Sequence, residues 1–410
     1  MNLLSPNHDR WLVVALAALF FLFPLSKSLY VLPLLFVAAL SFKYASPFQW
    51  WPLIRSRPLL WVPLALYALI LLHSPGSPAS TDEIFEHLRK YARLLIFVFL
   101  FLVFVGEEQR QRAALKGFTA AMVVIVGLTW FRIVWPNDLL GSQTDGSALF
   151  GDYITQNIMV AFFTLIAFHH ARHSLKRWMR LTWSVVLVLS ITSITHHSIG
   201  RTGLVLLLAV WLTYFAFVLR GWKLIMGTVA LSLLAYSVYA TSDHLQSRLN
   251  QALAEARHAE VDNLSSIGHR LYNYRTTPRM ILDKPFFGHG TGSYHSQICR
   301  YLDRVEQCPV FQRHPHNQFL FLAAEHGLVG GGLYLALIVG LFLYAFKSRS
   351  SLSSRTNLLA LAVLMLVDSM FNSPLFSSRE SQFFTFMAGL FLAMNESVTT
   401  RHVGVDSERG

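Results

Sequence analysis

Charge is the scarcest resource in this chain. Of its 410 residues, 14% are charged and 54% are hydrophobic, where soluble domains carry about a quarter charged residues. A water-soluble globule is excluded on that ground, and an integral membrane protein is expected. Other absences narrow the chemistry. No glycine-rich phosphate loop followed by Lys-Ser/Thr is present, so nucleotide hydrolysis is not expected. The histidines of the candidate stretches (His196-His197, His289, His314, His316) are scattered, and the outer loops hold no Asp-x-Asp. No metal site and no cofactor are expected from them. The first apolar run, Trp11 to Pro24, has no small-residue cleavage site and is followed at once by another, so it does not read as a cleaved signal peptide. There is no internal repeat and no second soluble domain.

What the chain does have is apolar runs of spanning or near-spanning length. They fall at 11–26, 28–42, 59–74, 91–105, 113–135, 154–171, 178–196, 202–219, 222–241, 317–346, 357–373 and 380–396, which predicts about twelve transmembrane helices. The 32 Phe and 10 Trp suit lipid-facing and interfacial surface. The formal charge of +12 would suggest nucleic acid in a soluble protein. Here loop positions account for it. With the N-terminus inside, eighteen Lys and Arg fall in cytoplasmic segments and six in short outer loops. Both termini are therefore expected in the cytoplasm, with membrane lipids and no nucleic acid as partners. The expected division is 1–241 for the first nine spans, 242–315 for an outer loop domain, 316–396 for the last three spans and 397–410 for a cytoplasmic tail.

The loop at 242–315 differs from the others in size and charge, with nine Lys and Arg. Long translocated segments escape the charge rule, so it does not overturn the topology. Leu245, Leu249 and Leu253 repeat at helical spacing, which predicts an amphipathic helix over Asp243 to Val261. A second helix is expected over Arg270 to Leu282, bent or delayed by Pro278. A glycine-rich turn follows at 285–293. Cys299 and Cys308, the only cysteines, both lie in this loop. An oxidising outer compartment would let them pair, closing a loop of about ten residues for roughly 2–3 kcal/mol in the chain-entropy picture.

The residues suited to chemistry gather at the same side. Arg201 lies in Ser198-Ile199-Gly200-Arg201-Thr202-Gly203 at the mouth of two spans. A charge at that depth is costly unless paired or functional; the bland alternative is a snorkelling anchor. Arg270, Arg275 and Arg279 lie on the second outer helix, the last two on one face at four-residue spacing. Their forked guanidinium groups suit phosphate, although a solvated basic face reads equally well. Arg313-His314-Pro315-His316-Asn317 closes the loop. His316 suits a general base near neutral pH, with Arg313, His314 and Asn317 as substrate-binding neighbours. Pro315 is expected to point His314 away from His316. Asp368 lies within an apolar run and is a candidate for orienting a histidine or pairing with an arginine.

Taken in order, these motifs resemble the bacterial O-antigen ligases. His316-Asn317, nine residues, Gly327, two residues and Gly330 is similar to that family's signature. The stretch 198–203 resembles its Arg-Gly segment, and Arg270 followed by Lys284-Pro285-Phe286-Phe287-Gly288-His289-Gly290 also fits. The resemblance covers most of the chain, with the specific motifs between about 200 and 330. It implies an all-α, GT-C-like integral membrane protein with about 12 spans and one large helical periplasmic loop, in the bacterial inner membrane. It further implies transfer of a glycan from undecaprenyl pyrophosphate to the lipid A core, without metal or nucleotide and with inversion. By position, His316 would be the base, and Arg201 and Arg270 would bind the pyrophosphate. An O-antigen polymerase of the same superfamily is the nearest alternative, and a protein O-oligosaccharyltransferase is disfavoured by the lack of a C-terminal soluble domain. A glycolipid flippase or transporter is disfavoured because its polar groups should lie near the midplane.

Overall fold

Among the described residues, every regular element is a helix. The computed structural model describes residues 6–44, 47–136, 149, 153–198, 200–258, 266–302 and 313–396. The first part of the chain forms α1 (Pro6–Leu25), α2 (Val31–Tyr44), α3 (Pro47–Arg55), α4 (Pro58–Leu72), α5 (Thr81–Tyr91) and α6 (Arg93–Phe104). Next come α7 (Glu108–Val134), α8 (Tyr153–His173), α9 (Arg177–His197), α10 (Arg201–Val218) and α11 (Trp222–Thr241). The stretch 242–315 holds α12 (Asp243–His258), α13 (Ser266–Asp283) and the short α14 (Tyr294–Ile298). The last part is α15 (Gln318–Lys347), α16 (Leu352–Asp368) and α17 (Ser378–Asn395).

Each of the twelve apolar runs falls on one of these helices. Among the described residues, six are long and apolar enough to cross a membrane, namely α7, α8, α9, α10, α11 and α15. A seventh is reached if α3 and α4, bent by 98° at their junction, count as one broken span. The sharp bend has a local cause. Arg57 at the junction is extended and Pro58 opens α4, a residue that tolerates the first helical turn but restricts the one before it.

The core is an aromatic interlock between α1, α6, α7, α8 and α17. Phe20 meets Phe104 at 5.6 Å, Phe23 stacks on Phe118 at 5.8 Å, and Phe162 meets both Phe383 and Phe391 at 5.6 Å. Edge-to-face rings at these separations are favourable beyond simple area burial. Inside a bilayer, where lipid is as apolar as leucine, such close packing is what holds helices together. Charged pairs tie off the helix ends. Arg110 binds Asp9 at 2.8 Å, and Arg57 lies 3.1 Å from Glu396.

In the stretch 242–315, α12 places Leu245 in a buried position, whereas Leu249 and Leu253 stay largely exposed. The helix α13 runs through Pro278 and starts before Arg270. A helix that the apolar pattern does not announce is α5. Its start is a capping box: Ser80 Oγ accepts from the Glu83 amide at 3.3 Å, and Glu83 returns the bond to the Ser80 amide at 3.0 Å.

Candidate active site

The turn before α15 is built by two residues. Asn317 caps the helix, its Oδ1 accepting from the amides of Phe319 and Leu320 at 3.0 Å each. Asn is among the best residues for that task, because these amides have no partner inside the helix. His316 sits at φ 55°, the only non-glycine residue found in the left-handed region among those described. Such a backbone costs about 1–2 kcal/mol per residue and persists where the surroundings hold it.

The left-handed residue reverses the chain. It brings the His314 ring to 4.5 Å from the His316 ring, and His314 Nδ1 accepts a 3.4 Å hydrogen bond from the His316 amide. The expectation that Pro315 separates the two histidines is thus corrected. Proline restrains its own φ, but the positive φ one residue later folds His316 back. His269 of α13 stands edge-on to His316 at 6.0 Å.

Burial and neighbouring cations act together on these rings. Burial, then His314, Arg270 and His269, push the proton affinity of His316 down to about 2. Burial, then Lys90, His269 and Arg270, lower His314 to about 4. Both imidazoles are therefore neutral at neutral pH and can accept a proton.

Arg201 and Arg270 line one cavity. Arg201 is the first residue of α10, whose free amides add positive potential at the same place. Arg270 comes from α13. The cavity measures about 1060 Å³ and runs between α9, α10, α11, α12 and α13. Apart from the two arginines, its walls are mostly apolar, including Leu204, Leu208, Trp211, Leu231, Ala235 and Phe371. His316 is not among the lining residues, but it lies within the field of Arg270. Asp368, fully buried at the end of α16, also lies in that field and accepts a 2.6 Å hydrogen bond from Asn372.

The other candidates lie apart from the cavity. Arg275 and Arg279 are exposed, and Arg279 reaches the Tyr301 carbonyl at 3.4 Å. Arg313 is exposed and pairs with Glu86 at 3.1 Å. Cys299 is disulfide-bonded; Cys308, the other cysteine of the chain, lies outside the described residues. Among the described residues no group of three or more His, Cys, Asp or Glu is placed to hold a metal ion.

The motif glycines have a packing explanation. Gly327 breaks α15 at φ 68°, ψ −171°, and the 285–290 turn docks into the break. The amides of His289 and Gly290 donate to the carbonyls of Ala324 and Glu325 at 3.1 and 2.9 Å, and the Leu328 amide donates to Pro285 at 2.7 Å. A Cβ on Gly327 would overlap the Phe286 carbonyl, and one on Gly288 would overlap the backbone of Glu325. Sequence reasoning also passed over a buried pair here. Glu325 Oε1 lies 3.2 Å from His87 Nε2 on α5 and accepts from the Tyr294 amide at 3.2 Å. Burial opposes charge on His87, yet Glu325 and the Glu83 carbonyl raise its proton affinity. The Glu325-His326-Gly327 triplet was the available signal, but only the fold brings His87 to it.

Fold and site define a class: an all-helical membrane protein with a half-buried histidine turn near an arginine-marked apolar cavity. Residues 197–335 match the family model described as O-antigen ligase, a likeness that supports the O-antigen ligase and polymerase superfamily for this stretch. The matched stretch runs from the Arg201 motif through 242–315 to the glycine break. A comparison with curated proteins found no match.

Proposed function

We propose that the protein is an O-antigen ligase of the bacterial inner membrane, with its active site on the periplasmic side. It transfers a glycan from undecaprenyl pyrophosphate to a sugar hydroxyl of the lipid A core. The observation that carries this reading is the shared cavity of Arg201 and Arg270, with His316 held beside Arg270. A long polyprenyl chain needs apolar walls, and its pyrophosphate needs fixed positive charge at their edge.

In the reaction, the acceptor oxygen attacks the anomeric carbon and its proton passes to the His316 imidazole. The bond from that carbon to the pyrophosphate oxygen breaks, and the pyrophosphate leaves with the electron pair. Direct displacement inverts the centre. Arg201 and Arg270 bind the leaving group and stabilise the charge that develops on it, which is worth most in a site poor in water. A histidine with so low a proton affinity is a weak base in the empty site. The donor's negative charge beside Arg270 offsets one cause of that weakness, so the base strengthens when the donor is bound.

The test is His316→Ala in a strain lacking the endogenous gene. Loss of the O-antigen ladder on lipid A core is expected, with normal insertion of the protein; a normal ladder would overturn the base assignment. The accumulating product separates ligase from polymerase. Polymer retained on the undecaprenyl carrier indicates a ligase, whereas a core bearing a single repeat unit indicates a polymerase.

A further inference from the structure

Beside the His314–His316 pair, and outside the lining of the cavity, lies a second concentration of positive charge. Lys90, in the last turn of α5, places its Nζ 3.4 Å above the centre of the Phe376 ring. It also lies 2.9 Å from Glu86, and only 14% of its side chain is exposed. The other Glu86 oxygen holds Arg313, which arrives from a distant part of the chain at 3.1 Å. Arg93, at the start of α6, donates to the Lys90 carbonyl at 3.3 Å, and the exposed Arg89 lies within its field.

These groups repel one another. Lys90 feels the charges of both Arg93 and Arg313; Glu86 answers Lys90 and Arg313, while Arg93 turns to Tyr30 and feels Arg89. The C-terminal dipole of α5 accounts for Arg89 and Lys90 on their own. It does not account for Arg313, brought in from before α15, nor for an ammonium group held largely out of water. Such crowding is relieved by an incoming anion. The position is also informative. Lys90 is close enough to act on His314, and Phe376 stands 5.8 Å from the same ring. In a direct displacement the nucleophile enters opposite the leaving group. If the pyrophosphate sits at Arg201 and Arg270, Lys90, which does not line that cavity, is left to the acceptor.

We propose that Lys90 and Arg313, supported by Arg93 and Arg89, form an acceptor site that binds a phosphoryl group on the sugars of the acceptor glycolipid. This rests on the donor and acceptor roles given above.

The experiment measures equilibrium binding of purified lipid A core glycolipid to the full-length protein in zwitterionic nanodiscs, without donor. The glycolipid is used with its phosphates intact and after chemical dephosphorylation. Wild type is expected to bind the intact form about tenfold more tightly, a preference that salt weakens. The Lys90→Gln/Arg313→Gln variant is expected to lose that preference and to keep its donor KM, while Lys90→Arg retains the preference. Equal binding of both glycolipids by wild type, or an undiminished preference in the double variant, overturns the proposal. So does equal competition by phosphatidylglycerol added to the nanodiscs, which would make this a bilayer headgroup site. Transfer assays on wild type keep the two readings apart. Transfer without phosphate preference refutes the acceptor site alone, whereas absence of transfer with preference intact refutes the ligase reading.

Discussion

The helices α8 and α11 have similar lengths and similar apolar content but opposite surroundings. In α8, 78% of the spanning window is buried inside the protein; in α11 none of it is. The first packs Phe162 among Phe118, Phe383 and Phe391. The second turns Ile225, Val229 and Leu233 outward and gives its other side to the cavity. One half of the bundle is a close-packed base, and the other is a thin wall around an opening. A substrate with a long lipid tail can enter only where helix–helix packing has been given up.

Removing packing should therefore hurt one half alone. Phe162→Ala opens a void in the base and is expected to cost about 3–5 kcal/mol. Leu233→Ala on α11 should stay within about 0.5 kcal/mol of wild type. Thermal unfolding of the two variants in the same detergent checks the pair, and equal losses would break the contrast between base and wall.

The reverse change sharpens it. Arg270→Gln and Arg201→Gln leave the cavity open but remove its charge, and each should lower kcat/KM about 10²–10³-fold. Ala235→Trp fills part of the cavity while leaving the arginines in place, and should raise the donor KM by about tenfold. Steady-state kinetics with donor and acceptor varied separately distinguishes these outcomes. A cavity-filling variant with unchanged donor KM would argue against the wall as a lipid site.

A further effect concerns acid. His314 and His316 have folded proton affinities well below the ordinary 6.5, so the unfolded chain binds more protons than the folded one as pH falls. Their contribution is stability present above about pH 6.5 and lost progressively below it. Denaturation followed from pH 8 to 4 should show His316→Gln losing less stability than wild type. Identical slopes would indicate that the turn is open to water.

Much of the scaffold is written in local patterns. The twelve apolar runs mark helices, and the leucine spacing marks α12, because burial and helical period act over a few residues. Arg201 stands out by its charge at the mouth of two apolar runs and Arg270 as one of three arginines on the second outer helix, and the two line one cavity. Other features depend on contacts between distant segments. Asn317 is legible as a polar neighbour of His316, but its work as a cap emerges only when α15 starts there. His87 and Lys90 sit in α5, a polar stretch between apolar runs, and their partners Glu325 and Phe376 lie more than two hundred residues away in the chain. The capping box at Ser80 and Glu83 was a readable sign of that helix.

The break at Gly327 carries a consequence for how the molecule is made. A helix interrupted inside a membrane leaves backbone groups that lipid cannot satisfy. Here the 285–290 turn satisfies them, and it precedes α15 in the chain. The turn therefore leaves the ribosome before the helix that needs its amides and the Pro285 carbonyl. Order of synthesis thus puts the splint ahead of the fracture.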